Sequence, residues 1–473
     1  MTLPSMVKKP STESRFQEYV GLLASALGHK DREEPLRAYL AGLCLPGERK
    51  SIEPIAARVD PRHVRARHQS LHHFVSNAPW DDGAVLRVTR EWVVDQMERH
   101  GGVVAWIVDD TGIPKKGRHS VGVARQYCGV LGKQDNCQVA VSVSLTNEAV
   151  SIPVAYRLYL PEMWAEDHER REEAGVPPET RFETKWRIAL DQIAGLHHDG
   201  MPIAPVVTDA GYGVVTAFRD GLTALKVPYA VGVTKETTVW PPGTEPLPPK
   251  RWGGVGRPPK LVRRTKNRQP VSIDRLARAL PASSWKMITW RQGNRGNMRS
   301  RFAFLRVRPA HRDYWAHSPR DIEWLIIEWP KGEKEPTKTW LSTMPADTPP
   351  EQLIRIAKTR WRIERDYQEL KQEVGLDHFE GRGWRGFHHH GVLCIAAYGF
   401  LAAERARLSP PEPLSFLKAP PLPKGFKPRG SPNTSRTTRR QLDHNIQSPT
   451  GAGSTATLSL RLVRTRATGR LVL

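Results

Sequence analysis

Trp106-Ile-Val-Asp-Asp-Thr-Gly112 and Val206-Val-Thr-Asp-Ala-Gly-Tyr-Gly213 each carry a short apolar run into an aspartate. Such a run reads as a buried strand with a carboxylate at its tip. A third stretch, Arg360-Trp-Arg-Ile-Glu-Arg-Asp-Tyr-Gln-Glu-Leu-Lys371, reads as part of a long helix. Glu364 lies four residues after Arg360 and seven before Lys371. At about 3.6 residues per turn these three side chains share one face. Two strand-tip aspartates and one helical glutamate, far apart in sequence, form a donor set that suits two divalent cations for phosphodiester chemistry. Hard cations such as Mg²⁺, with Mn²⁺ as a substitute, favour such oxygen ligands.

On these residues the chain resembles the DDE-type transposases of bacterial insertion sequences, in the cut-and-paste branch with the signature Tyr-x2-Arg-x3-Glu-x6-Lys. Arg360, Glu364 and Lys371 fit that spacing, whereas the tyrosine position falls on Ala357. The resemblance covers roughly residues 100 to 405. It implies that Asp110, followed by Thr111 as in the family, is the first metal ligand, with Asp209 and Glu364 the second and third. Asp109 competes with Asp110, because successive strand side chains face opposite ways and one of the two should reach the metals. The resemblance further implies two Mg²⁺ ions, binding of terminal inverted repeats as a homodimer, exposure of 3′-hydroxyls and their joining to target DNA. A nuclease without strand transfer and an inactive DNA-binding regulator are the alternatives.

The composition agrees with a polyanionic partner. The 473 residues carry a formal net charge of +23, which favours double-stranded DNA. No run of 18 apolar residues occurs and the first residues hold no apolar signal core, so the expected location is the cytoplasm, associated with the nucleoid. The four cysteines contain no C-x-x-C pair and read as buried thiols.

The expected architecture is α/β: an RNase H-like catalytic core preceded by a helical domain and interrupted by a β-rich insertion. Residues 1–98 read as a helical DNA-binding domain, with helical pieces at 15–27, 35–43, 51–57 and 63–76. Basic residues at their starts and faces suit docking on DNA in the manner of helix-turn-helix proteins. Residues 99–233 read as the first part of the core, with apolar β-like runs at 103–108, 121–130, 137–145 and 150–158. Residues 234–340 read as the insertion. Its linker Lys250–Arg268 holds eight Lys/Arg and no acid. Residues 341–408 complete the core, with Pro349-Pro350 opening the helix of Glu364. Residues 409–473, with eleven Lys/Arg and two acids, read as a basic disordered tail.

Arg360 and Lys371 are the expected phosphate contacts beside the cleaved bond. Lys115 and Lys116, directly after the first aspartate, could grip the strand being cut. Arg257 and Lys260 in Gly256-Arg-Pro-Pro-Lys260 suit general phosphate binding, and Arg382 could assist. His388-His-His390 reads as a basic, DNA-facing turn, since consecutive histidines on a helix diverge too far to share one ion.

Overall fold

A computed structural model describes residues 10–408 apart from 294–295, 312 and 314–315, together with the short strand pair Val463–Arg464 and Leu471–Val472. The basic tail expected over 409–473 therefore lies almost wholly outside the described residues.

The chain begins with α1 (Thr12–Ser25), α2 (Glu33–Cys44), α3 (Ile52–Val59), α4 (Val64–His72) and α5 (Asp82–Glu98). Ser11 caps α1 by accepting from the Ser14 amide at 3.1 Å, and Asp81 does the same for α5 through Gly83 at 2.8 Å. These caps satisfy backbone donors that a helix start leaves open. The period then changes. β1 (Ala105–Pro114), β2 (Ala124–Cys128), β3 (Lys133–Thr146) and β4 (Ser151–Leu158) follow. After the short α6 (Glu162–Ala165) and α7 (His168–Glu173) come α8 (Lys185–His198), β5 (Val206–Thr208), α9 (Ala210–Gly213), α10 (Thr216–Ala224) and β6 (Tyr229–Val233).

The stretch read from sequence as an insertion holds β7 (Thr238–Trp240), β8 (Val271–Ser272), α11 (Ile273–Ala279), β9 (Lys286–Gly293), β10 (Gly296–Pro309) and β11 (Glu323–Glu328). β12 (Lys338–Ser342), α12 (Pro350–Ala357), α13 (Trp361–Gln372) and α14 (Trp384–Leu408) follow.

One mixed sheet runs β2-β3-β1-β5-β6-β12-β11-β10-β7-β8, with β4 also on β3 and β9 on β10. Within it, β4-β3-β1 pair antiparallel and β1-β5-β6 parallel. This mixed α/β sheet is consistent with an RNase H-like domain. β12 hydrogen-bonds antiparallel to β6. The strands from β7 to β12 thus extend the sheet of β1, β5 and β6 edge to edge rather than forming a detached layer.

The helix that organises the core is α14. From Gly386 to Phe400 it is buried all round. Its small residues explain how. A β-carbon on Gly391 would meet Tyr156 Cε1 at 2.5 Å, and one on Gly399 would meet Ile152 Cδ1 at 2.7 Å, so glycine lets α14 lie against β4. The opposite side is covered by α1, α2 and α5, and one apolar core runs from Phe16 to Ala406. Arg15 of α1 donates from Nε to Glu404 Oε1 of α14 at 2.6 Å, and the Glu404 side chain is buried. Each buried Phe, Leu, Ile or Val contributes about 1.5–3 kcal/mol. Phe387, Val392, Leu393, Ile395 and Phe400 together therefore contribute as much as the ~5–15 kcal/mol net stability of a typical domain.

His388, His389 and His390 lie within this buried helix, which corrects the reading of a DNA-facing turn. The residues around them are apolar or backbone, so burial outweighs their polarity once each ring has a partner. His389 stacks on Trp80 at 3.5 Å between centroids and lies 2.9 Å from the Val75 carbonyl and 3.0 Å from that of Trp80. His390 Nδ1 is 2.8 Å from Tyr39 Oη and its Nε2 is 3.0 Å from the Gly375 carbonyl.

Burial pushes His390 down to about 4, against about 6.5 for an unfolded histidine. Between those values the unfolded chain holds the proton and the native chain does not, so stability is lost as pH falls from about 6.5 towards 4. His390→Gln removes that contribution. Urea unfolding at pH 7 and pH 5 should show the wild type losing about 2 kcal/mol more than the variant. Equal losses would mean that His390 does not titrate this way.

Candidate active site

β1 and β5 run parallel, with Trp106 opposite Val206 and Ile107 opposite Val207. Carried two residues further, that register sets Asp109 level with Asp209, and residues at one level of neighbouring strands project from one face. The same face bears Ser142, the β3 partner of Asp109. Ser142 Oγ hydrogen-bonds Tyr367 Oη of α13. α13 therefore covers the side of the sheet from which Asp109 projects, and Tyr367 is a buried packing residue.

Arg360, at the start of α13, joins the carboxylates. Its Nη1 lies 2.5 Å from Asp109 Oδ2 and its Nη2 3.0 Å from Glu364 Oε1. Asp109 is deeply enclosed. Burial pushes its carboxyl up to about 7, Arg360 opposes that, and Asp209 and Asp110 raise it further. Glu364 is 61% exposed and points towards solvent. Asp209 caps the short helix α9, its Oδ1 accepting from the amides of Gly211 at 2.9 Å and Tyr212 at 3.4 Å.

Asp110, named from the resemblance as the first ligand, faces the other way. Its Oδ2 pairs with Lys185 Nζ at the start of α8, and α8 packs on β3 and β4. Strand alternation is the physical reason: one of two successive residues faces α13 and the next cannot. Among the described residues, no three His, Cys, Asp or Glu side chains form a ready-made metal cluster. Asp109, Asp209 and Glu364 are instead linked by register and through Arg360.

The long helix expected to carry Glu364 is broken into α12 and α13. The amides of Thr359 and Arg362 bond three residues back, to Ile356 and Thr359, at 3.0 Å each, a tighter turn than α-helix. The break lets Lys358 reach sideways into the insertion. Its Nζ is 2.6 Å from Glu328 Oε2 and lies over the Trp290 ring at 4.3 Å, with Trp340 at 5.4 Å and Phe302 at 5.6 Å. Arg291 of β9 stacks on Trp361 at 3.8 Å. Residues of β9 to β12 thus grip both sides of the turn that presents Arg360. Ala357, at the position of the family tyrosine, is buried with Leu353 and Ile354 in the apolar cluster beneath this contact.

The other basic residues separate into two groups. Lys371 Nζ donates to the Gly112 carbonyl at 2.8 Å and Lys115 Nζ to that of Phe379 at 2.7 Å. Burial lowers the pKa of both. These lysines tie α13 and its following loop to β1, and they do not project from the surface as phosphate contacts should. Lys116, Arg257, Lys260 and Arg382 are exposed. Lys185 and Lys358 were missed by sequence reasoning. Nothing local marks Lys358, whose partners all lie on distant strands, whereas Lys185 follows a recognisable helix cap at Thr184.

A family model described as DDE superfamily endonuclease matches residues 22–297, more than half of the chain. The matched stretch holds Asp109, Asp110 and Asp209 and ends before Glu364. The chain is also 33% identical over 145 residues to a probable transposase for insertion sequence element IS701 from Microchaete diplosiphon. That alignment spans 31% of this chain and 35% of the relative, about a third of its length. No helix among the described residues is long and apolar enough to cross a membrane. On the family match, the chain belongs to the DDE superfamily endonucleases.

Proposed function

We propose that the chain is the transposase of an insertion sequence, which binds the element ends as a homodimer, cleaves DNA and joins the 3′-hydroxyls to target DNA. The observation that carries this reading is the juxtaposition of Asp109 with Asp209 across β1 and β5, and with Glu364 through Arg360. The strand order β4-β3-β1-β5-β6 supports an RNase H-like core around it.

In this reading Asp109, Asp209 and Glu364 hold two Mg²⁺ ions, with Mn²⁺ able to replace them. The donor set fits, since all three offer carboxylate oxygens and Asp109 and Glu364 already share one cationic partner, the Arg360 guanidinium. When bound, such ions lower the pKa of an attacking oxygen and stabilise the leaving one. What supports Asp109 rather than Asp110 as the first ligand is its face of β1 and its shared partner with Glu364. Arg360 has a planar fork suited to phosphate and would exchange its carboxylates for the phosphate at the cleaved bond. Lys358 and the Trp361–Arg291 stack hold the turn that presents it. Lys116, Arg257, Lys260 and Arg382 would contact phosphates further along the duplex.

The test is Mg²⁺-dependent cleavage of supercoiled DNA carrying the ends that flank the coding segment, with wild type, Asp209→Asn and Glu364→Gln. Wild type is expected to cut at the ends and to join them to a second DNA, while both variants bind without cutting. Cutting without joining would favour a metal-dependent nuclease. Binding without cutting in either Mg²⁺ or Mn²⁺ would favour a DNA-binding regulator. Cutting that survives both substitutions would displace the site.

A further inference from the structure

Asp366 is the most deeply buried acid of α13 and has no part in the chemistry proposed above. Two hydroxyls from two different elements meet it. Ser151 of β4 donates from Oγ to Asp366 Oδ2 at 2.6 Å, and Tyr398 Oη of α14 lies 3.1 Å from Oδ1. Ser151 and Tyr398 are themselves buried, so Asp366 sits where β4, α13 and α14 join. The Tyr398 hydroxyl is also 3.2 Å from Glu369 Oε2. Glu369 in turn pairs with Arg405 of α14 and Arg365 of α13, at 2.8 Å each. One continuous hydrogen-bonded chain thus runs from β4 through α13 to α14.

The remaining hold on α13 leaves a task for this chain. The buried apolar residues of the helix are Ile363, Tyr367 and Leu370, and apolar contact is not directional. Tyr367 and Lys371 fasten the helix to β3 and β1. Asp366, which reaches two further elements, opposes rotation of α13 about its own axis. At about 100° per residue Asp366 lies about 200° round the helix from Glu364. The buried anchor and the exposed Glu364 are therefore on opposite sides of one short rod. A rotation of about 20° would carry a side-chain tip at a radius of about 5–6 Å through roughly 2 Å. A displacement of about 1 Å at a reacting centre can cost on the order of 10²-fold in rate.

We propose that Asp366 is a positioning residue for the site: through Ser151 and Tyr398 it sets the angle at which α13 presents Glu364 and Arg360 to Asp109 and Asp209. The inference rests on the transposase reading, which makes Glu364 a metal ligand. What the role requires is the pair of hydrogen bonds. Asparagine can accept from Ser151 through Oδ1 and donate from Nδ2 to Tyr398, whose hydroxyl then donates to Glu369. Leucine fills a similar volume and can do neither.

The test compares the full wild-type chain with Asp366→Asn, Asp366→Leu and Tyr398→Phe, each first shown by circular dichroism and thermal unfolding to be folded at the assay temperature. One readout is Mg²⁺-dependent cleavage of supercoiled DNA carrying the flanking ends. The other is Mn²⁺ binding, followed by electron paramagnetic resonance of the free ion. Asp366→Leu should lower kcat by on the order of 10²-fold and leave KM for the DNA nearly unchanged. It should also weaken Mn²⁺ binding by about 10- to 100-fold, the usual effect of removing a group that orients a ligand. Tyr398→Phe keeps the ring and removes one of the two bonds. It should move both readouts in the same direction by about tenfold or less, and it stands in for Asp366→Leu should that variant not fold. Asp366→Asn should stay within about threefold of wild type in both.

An Asp366→Asn variant as impaired as Asp366→Leu would overturn the proposal. So would wild-type Mn²⁺ affinity in a folded Asp366→Leu or Tyr398→Phe. Either result leaves the catalytic reading standing as long as the wild type cuts and Glu364→Gln does not. A wild type that never cuts, or a Glu364→Gln variant that cuts and binds Mn²⁺ as the wild type does, defeats the catalytic reading and this proposal with it.

Discussion

Asp109→Asn should abolish end cleavage, with a loss of about 10³-fold or more, equivalent to ~4 kcal/mol in the barrier. Asp110→Asn should cost about tenfold or less. The two residues are neighbours, chemically identical and on the same strand, so any general effect of losing a charge near the site would fall on both. What separates them is the face. Asp109 projects with Ser142 towards α13 and shares Arg360 with Glu364, while Asp110 projects towards α8 and pairs with Lys185. Asparagine keeps the shape of each side chain, so the fold should survive both changes. Single-turnover cleavage in Mg²⁺, with binding to the same DNA measured alongside, makes the comparison. An inactive Asp110→Asn beside an active Asp109→Asn would assign the first ligand to Asp110 and leave the Asp109–Arg360 pair a structural one.

Gly213→Ala should destabilise the protein by about 3 kcal/mol or more and remove activity, although residue 213 bears no functional group. A β-carbon there would lie 1.9 Å from the Gly232 carbonyl oxygen, and one on Gly232 would lie 2.9 Å from the Asp209 carbonyl carbon. α9 and β6 meet backbone to backbone at this point, and a backbone contact cannot relax as the end of a flexible side chain does. The extra methyl would push α9 off β6 and carry Asp209, which caps that helix, away from the level of Asp109. Gly211→Ala is the control. Its β-carbon would meet the side chain of Asp209, with Oδ1 nearest at 3.1 Å, and a far smaller loss of stability is expected. Thermal unfolding of the two variants, read beside cleavage, checks the argument. Similar melting temperatures would mean that the two backbones separate more easily than their distance indicates.

The parts of the site that were legible in the sequence are those written in local pattern. Trp106–Val108 and Val206–Val207 are apolar because the strands are covered on both faces, and the first leads directly, the second through the buried Thr208, into its aspartate. That Glu364 shares a helix face with Arg360 was legible from helical spacing. Which of Asp109 and Asp110 faces α13 was not, because it depends on which face of β1 meets that helix, a fact of tertiary packing. The break before α13 was hidden for a similar reason. Residues 350–372 are good helix formers, and the turn at Lys358–Arg360 forms because Lys358 finds Glu328 and three aromatic rings on strands distant in sequence. His388–His390 were misread because polarity is a surface signal only where no internal partner waits, and Tyr39, Gly375, Val75 and Trp80 supply those partners. The join of β12 to β6 was likewise invisible, since strand pairing across an insertion leaves no local trace.

The position of α14 also constrains the order in which this protein can come into being. α1, α2 and α5 emerge first during synthesis, yet the surface they must cover belongs to a helix that begins at Trp384. Until the ribosome has released that helix, their apolar faces have no lasting partner, so closure of the core awaits contacts between residues nearly 400 positions apart, such as Arg15 with Glu404. Contacts of such separation slow folding. For the same reason a fragment cut after residue 98 would not be a small DNA-binding domain but a set of helices lacking their common support. Loss of DNA binding on truncation at either end would then report the collapse of one shared core, and not the address of the residues that touch DNA.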